Sequence, residues 1–164
     1  MKKILIIALL SLASSLFAQH EYQLDSADVN LSNIKSMLPK SYNISYTQDN
    51  DGLYIENSKE QLILYSINDR LGLMEFFAMW HANSELSPAR GMKLANKYNT
   101  NFIYGRLNFE VSDEESSFVL KAIVPFDGGI NRDNLQANAA WFYAAMESVE
   151  KLLNEEDAIV KKMR

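Results

Sequence analysis

The clearest periodicity in the chain lies toward its C-terminal end, where Leu135, Ala139, Phe142, Met146, Val149 and Leu153 follow one another at intervals of four, three, four, three and four. That spacing holds the apolar side chains on one face of an α-helix, with Gln136, Glu147 and Glu150 on the polar side. The helix begins near Asn131, and Asp133 in its first turn complements the helix dipole. A flanking row, Trp141, Ala145 and Leu152, widens the apolar arc beyond what one contact surface requires. The row either packs under a sheet edge or marks an interface, for which an isologous dimer contact is the natural form.

Upstream, helical and strand patterns succeed one another. Leu31, Ile34, Met37 and Leu38 recur at helical spacing, with Asp28 or Asn30 placed to cap the helix and Pro39 to stop it. Tyr42, Ile44 and Tyr46 then alternate with polar residues, the turn residues 49–52 follow, and Leu53 and Ile55 resume the alternation as a β-hairpin. Segments 62–67 and 71–80 are apolar enough for central strands, with Phe76 and Trp80 read as core. Ser87 and Pro88 open a second helix whose apolar side is Leu94, Ala95 and Tyr98 and which ends between Asn96 and Asn101. Leu107, Phe109 and Val111, a turn at 112–116, and Phe118, Leu120, Ala122 and Val124 form a second hairpin. The expected order is α-β-β-β-β-α-β-β-α, an α+β fold in which an antiparallel β-sheet is flanked by helices. No repeat or long linker divides it.

The N-terminus changes what counts as the working protein. Lys2 and Lys3, an apolar run over 4–10 and a small-residue stretch ending at Ala18 have the form of a cleavable secretory signal. The expected division is a signal peptide over 1–18 and a single domain over 19–164, its core spanning about 29–154. The apolar run is short for a bilayer and no second one follows, so a periplasmic or secreted product without a stable membrane anchor is expected. Cleavage removes two lysines and no acids, moving the net charge from −5 to about −7. With no basic cluster, the chain is a poor match for nucleic acid or an anionic lipid surface.

The chain has no cysteine and only two histidines, His20 and His81. Disulfides, thiolate ligands and a thiol nucleophile are thereby excluded, and imidazole chemistry has little material. No catalytic residue, metal site or cofactor is expected. Asp49, Asp51 and Glu56 lack the pattern of a calcium loop. His81 near Glu75 and Glu85 matches no metal spacing. Gly128 and Gly129 read as an ordinary turn into the last helix rather than an anion cradle. Asn96 and Asn99 could form a polar rim with Arg106, although asparagines closing a helix more often serve the backbone. Arg106 could pair with a client carboxylate, or be a solvated strand residue.

The passage from Gly91 to Arg106, with Leu94-Ala95-Asn96 followed by Asn99, resembles the aliphatic-Ala-Asn-x-x-Asn segment and following strand of YbjN-domain proteins. The surrounding order is similar, from an early helix before an aromatic-rich strand and an Asp-Gly turn to a Gly-Gly step before a long terminal helix. The family is labelled as bacterial sensory-transduction regulators, and its fold is similar to type III secretion chaperones, commonly dimeric. The resemblance implies a protein-binding or chaperone-like module, commonly a homodimer; taken with the secretory signal, it gives the expectation of an exported module that engages a protein partner in the cell envelope. The exported N-terminus departs from a secretion chaperone, which meets its client in the cytosol. The rival expectation is a small-ligand-binding or enzymatic domain with a pocket between the sheet and the last helix, using Asn96, Asn99 and His81.

Overall fold

Residues 23–57, 62–68, 70–112 and 115–160 are described by a computed structural model; the candidate signal, 1–18, lies outside them. In chain order the elements are β1 (Gln23–Leu24), a 3-10 turn (Ser26–Asp28), α1 (Leu31–Met37), β2 (Asn43–Tyr46), β3 (Gly52–Glu56), β4 (Leu62–Asn68), β5 (Leu73–His81), α2 (Pro88–Asn101), β6 (Arg106–Val111), β7 (Ser116–Pro125), β8 (Ile130–Asn131) and α3 (Arg132–Glu155). The α+β order read from the pattern is present, with the small β1–β8 pair added.

Each helix starts on a side chain that accepts from an otherwise unpaired backbone N–H. Asn30 takes Asn33 N at 3.0 Å, Ser87 takes Arg90 N at 3.4 Å, and Asn131 takes Asn134 N at 2.7 Å. The six-stranded sheet runs β2-β3-β4-β5-β7-β6, antiparallel throughout. β1 and β8, two residues each, are too short to show a period in the sequence. Gly129, at φ 83°, permits their pairing, because a β-carbon there would strike the Leu24 carbonyl.

One face of the sheet supplies the core. Leu53, Ile55, Ile63, Tyr65, Met74, Phe76, Phe118 and Leu120 are all fully buried, and the periodic stripe of α3 closes over that face. Phe142 stacks on Phe76 with ring centroids 5.6 Å apart. The Tyr143 hydroxyl donates to the Ile55 carbonyl at 2.9 Å, and burial pushes its pKa up, so it remains a neutral donor. Gln136 Nε2 donates to the Met37 carbonyl at 2.7 Å, tying α1 to α3. Trp80 is half-buried, and its indole N–H donates to Glu150 at 3.2 Å.

Strand β5 alternates more strictly than its apolar composition suggests. Met74, Phe76 and Ala78 are buried, whereas Leu73, Phe77 and Met79 fall on the reverse face and remain partly or largely exposed. The strand is central in the sheet yet covered by helices on one side only, so its apolar residues on the other side become surface. Among the described residues no helix is long and apolar enough to cross a membrane.

Candidate functional site

An apolar groove of about 450 Å³ lies between the end of α2 and the middle of α3. Its architecture follows from how α2 stops. Phe102 N closes the last turn on the Tyr98 carbonyl at 3.0 Å. Three residues later Gly105, at φ 74°, turns the chain into β6 against Leu120 and the Lys121 carbonyl. The intervening Phe102, Ile103 and Tyr104 therefore belong to neither element; Phe102 and Ile103 are pushed to the surface, while Tyr104 is half-buried. Phe102 stacks on the buried Tyr98 ring at 4.7 Å. Tyr104 meets Trp141 of α3 edge to face at 5.8 Å. Buried Tyr98 and Ala145 form the floor, while Asn101 and Ser148 supply polar groups at the margin.

The rim is unusually apolar for solvent. Ile103 is 107% exposed, Trp141 59% and Phe102 41%. Leaving a side chain such as isoleucine wholly in water forgoes about 1.5–3 kcal/mol of burial. A single exposed apolar residue is common, but a contiguous set around a groove is the pattern of an interaction surface. Hydrogen bonding holds the aromatic base in place. Tyr98 Oη donates to the Tyr104 carbonyl at 3.0 Å, and Tyr104 Oη reaches the Asn138 side-chain and backbone oxygens at 3.0 and 3.1 Å. Burial raises both phenols to about 12, so they stay neutral.

The helices that wall the groove are also tied by charge. Lys97 Nζ donates to Glu156 Oε1 at 3.0 Å, Arg90 Nη2 donates to the Glu156 backbone carbonyl at 2.7 Å, and the same guanidinium lies 3.6 Å from the carboxylate. The Lys97 hydrogen bond, then its charge and that of Arg90, hold the Glu156 carboxyl below its usual range. Its folded value lies below its unfolded one, so the contribution is present above the unfolded value and is lost as pH falls through the folded value. We expect acidification to lower hydrogen-exchange protection at Ala158 and Val160, whose N–H groups bond Leu153 and His81 carbonyls in the tail after α3. Glu156→Gln should reduce that protection at neutral pH and remove its acid dependence. Protection unchanged in both cases would contradict the tie.

The residues singled out in the sequence fall in several places. Trp141 and Ala145 both line the groove, whereas Leu152 is 8% exposed at the end of α3, where the chain turns back onto the sheet at the Ala82–Ile159 bridge. Asn96, Asn99 and Arg106 are not gathered into one rim. Asn96 is exposed on α2. Asn99 Nδ2 donates to the Leu107 carbonyl at 2.8 Å and its Oδ1 accepts from Leu107 N at 2.9 Å, so the side chain pairs with the outer edge of β6 like a short strand. Arg106 is exposed and stands opposite Lys121. His81 is joined neither to Glu75 nor to Glu85; its Nδ1 lies 3.1 Å from Glu115 Oε2 at the surface. Among the described residues no group of three or more histidines and acids is placed to hold a metal. Phe102 and Ile103 were not singled out, although three apolar residues between a helix-ending asparagine and a glycine turn were a readable signal.

No protein-family model matches the chain, and no curated protein does. Among solved structures it matches the crystal structure of YbjN from E. coli, described provisionally as a transcription regulator. The TM-score is 0.68, over 82% of this chain and 97% of that one, at 12% sequence identity. The chain therefore has a YbjN-like α+β fold, and at that identity the likeness is one of fold.

Proposed function

We propose, from this YbjN-like fold and the groove it carries, that the chain is an exported, non-catalytic protein-binding module that receives a short apolar segment of an envelope protein. The observation that carries the reading is Ile103, fully exposed beside the half-exposed rings of Phe102 and Trp141. A small-molecule site encloses most of its ligand. Here the apolar groups project around an open groove instead, as anchors do at a protein interface, where tryptophan is prominent among the residues that dominate binding. Export rests on the basic, apolar and small-residue succession of 1–18.

A photo-crosslinking side chain placed at Ile103 of the full chain, expressed in cells, tests both parts. The expected result is an adduct with one discrete envelope protein, lost when Trp141→Glu is added, in a chain whose N-terminus begins at Gln19. No adduct, or one indifferent to Trp141→Glu, would overturn the groove as the binding site. An adduct solely with a second copy of the chain would make the groove a self-association surface instead. A product retaining 1–18 in the cytosol would remove export.

A further inference from the structure

The face of the sheet turned away from the helices has a pattern of its own. Directly paired residues project to the same side of a sheet. The registers Arg106↔Lys121, Lys121↔Phe77, Phe77↔Leu64 and Leu64↔Tyr54 therefore form one row across five strands, cationic at one end and apolar along the rest. Met79 and Ile123, 51% and 57% exposed, lie in the rows on either side. This surface is separated from the groove by the full thickness of the sheet.

The cationic end is out of keeping with the molecule. The chain is acidic, with a net charge of −5, yet Arg106 and Lys121 sit directly opposite each other, an arrangement that disfavours strand pairing. Among the described residues neither forms an ion pair. Lys121 instead holds its ammonium 5.1 Å from the centre of the Phe77 ring. Glu75 is two positions along β5 from Phe77 and in register with Ile123, not with either cation, and Glu110 is paired with Ser117 farther along β6. Two adjacent like charges that form no ion pair among the described residues, and that border aromatic and aliphatic surface, form half of a complementary pair.

We propose that this outer face binds a peptide segment of a partner protein in which a carboxylate adjoins apolar side chains. The carboxylate is held by Arg106 and Lys121, and its apolar neighbours lie on Phe77 and Met79. The planar guanidinium of arginine matches a carboxylate with two parallel hydrogen bonds. Two cations are too few to hold a nucleic-acid backbone or an anionic leaflet, each of which is bound through many such contacts. The apolar part of the row would be left uncovered by either. An extended or helical peptide with mixed acidic and apolar character satisfies both ends of the row at once.

Panning a displayed library of short random peptides on the immobilised full chain tests this. The expected enrichment is Asp or Glu beside Leu, Ile or Phe. A synthetic copy of a selected peptide should bind Arg106→Glu/Lys121→Glu about tenfold or more weakly, and panning on that variant should select Lys or Arg in place of the acid. Arg106→Gln/Lys121→Gln should weaken binding without selecting the opposite charge, and unchanged thermal midpoints will show that the variants fold. Selected peptides lacking acids, no enrichment at all, or the same peptides emerging after charge reversal would overturn the proposal. Peptides lost on Trp141→Glu but kept after charge reversal would belong to the groove and would equally overturn it. Binding of the full chain to phosphatidylglycerol vesicles, abolished by the reversal, would replace the peptide with a lipid surface.

Discussion

Replacing Phe142 with alanine should lower the free energy of unfolding by about 3–5 kcal/mol. Small domains are stable by only about 5–15 kcal/mol, so the variant should sit close to its unfolding transition at ambient temperature. Phe142 is fully buried, at the centre of the α3 stripe, and stacks on Phe76, which itself meets Tyr65 edge to face with centroids 5.2 Å apart. Truncation removes the transfer energy of the ring and leaves a void facing other rings. Their neighbours are fixed in strands and cannot collapse into it. The adjacent Trp141 is the internal control. It is a larger side chain one residue away, but about 100° around the helix and largely in solvent. Trp141→Ala should cost about 1 kcal/mol or less. Urea unfolding of the two variants checks the contrast, and equal losses would mean that α3 does not face the sheet as described.

That contrast also shows what the amino-acid pattern could reveal. The stripe from Leu135 to Leu153 was legible because every member answers to one physical rule, the helical period against a single apolar face, and all of its residues are buried. The flanking row obeys the same period, yet its members diverge. Ala145 is the floor of a groove, Leu152 is covered at the end of the helix, and Trp141 is left on a rim. Position around the helix placed all three at the margin of the contact. The places of Trp141 and Ala145 depended on the α2–β6 turn, set by Gly105, and that of Leu152 on the return of the tail at the Ala82–Ile159 bridge; neither path has a periodic signature. The outer sheet face was hidden for a related reason. Segment 71–80 is apolar on both alternating sets, and composition cannot say whether helices cover one side or two. The helices all lie on the Phe76 side, so Phe77 and Met79 fall on the surface.

Asn99→Ala should destabilise the fold by about 2 kcal/mol, because two hydrogen bonds are lost at once and both belong to one residue of an edge strand. The asparagine side chain presents an N–H and a C=O to Leu107 with the polarity of a neighbouring strand, and so covers part of the free edge of β6 with a helix. In the sequence Asn99 looked like a helix-ending residue or a ligand-binding amide. The helix continues to Asn101 and its last turn closes through Phe102, so neither description fits the contacts it makes. Asn99→Asp separates the two halves of the interaction. An aspartate can still accept from Leu107 N, but its other oxygen opposes the Leu107 carbonyl, which favours the protonated acid and raises its folded pKa above the unfolded value. The stability of this variant should therefore be highest below the unfolded value and fall as pH rises through the folded one. Wild type, lacking that carboxyl, should show no such component when unfolding is followed across the acid range. Loss of peptide binding at unchanged stability in Asn99→Ala would reverse the assignment and return Asn99 to a binding site.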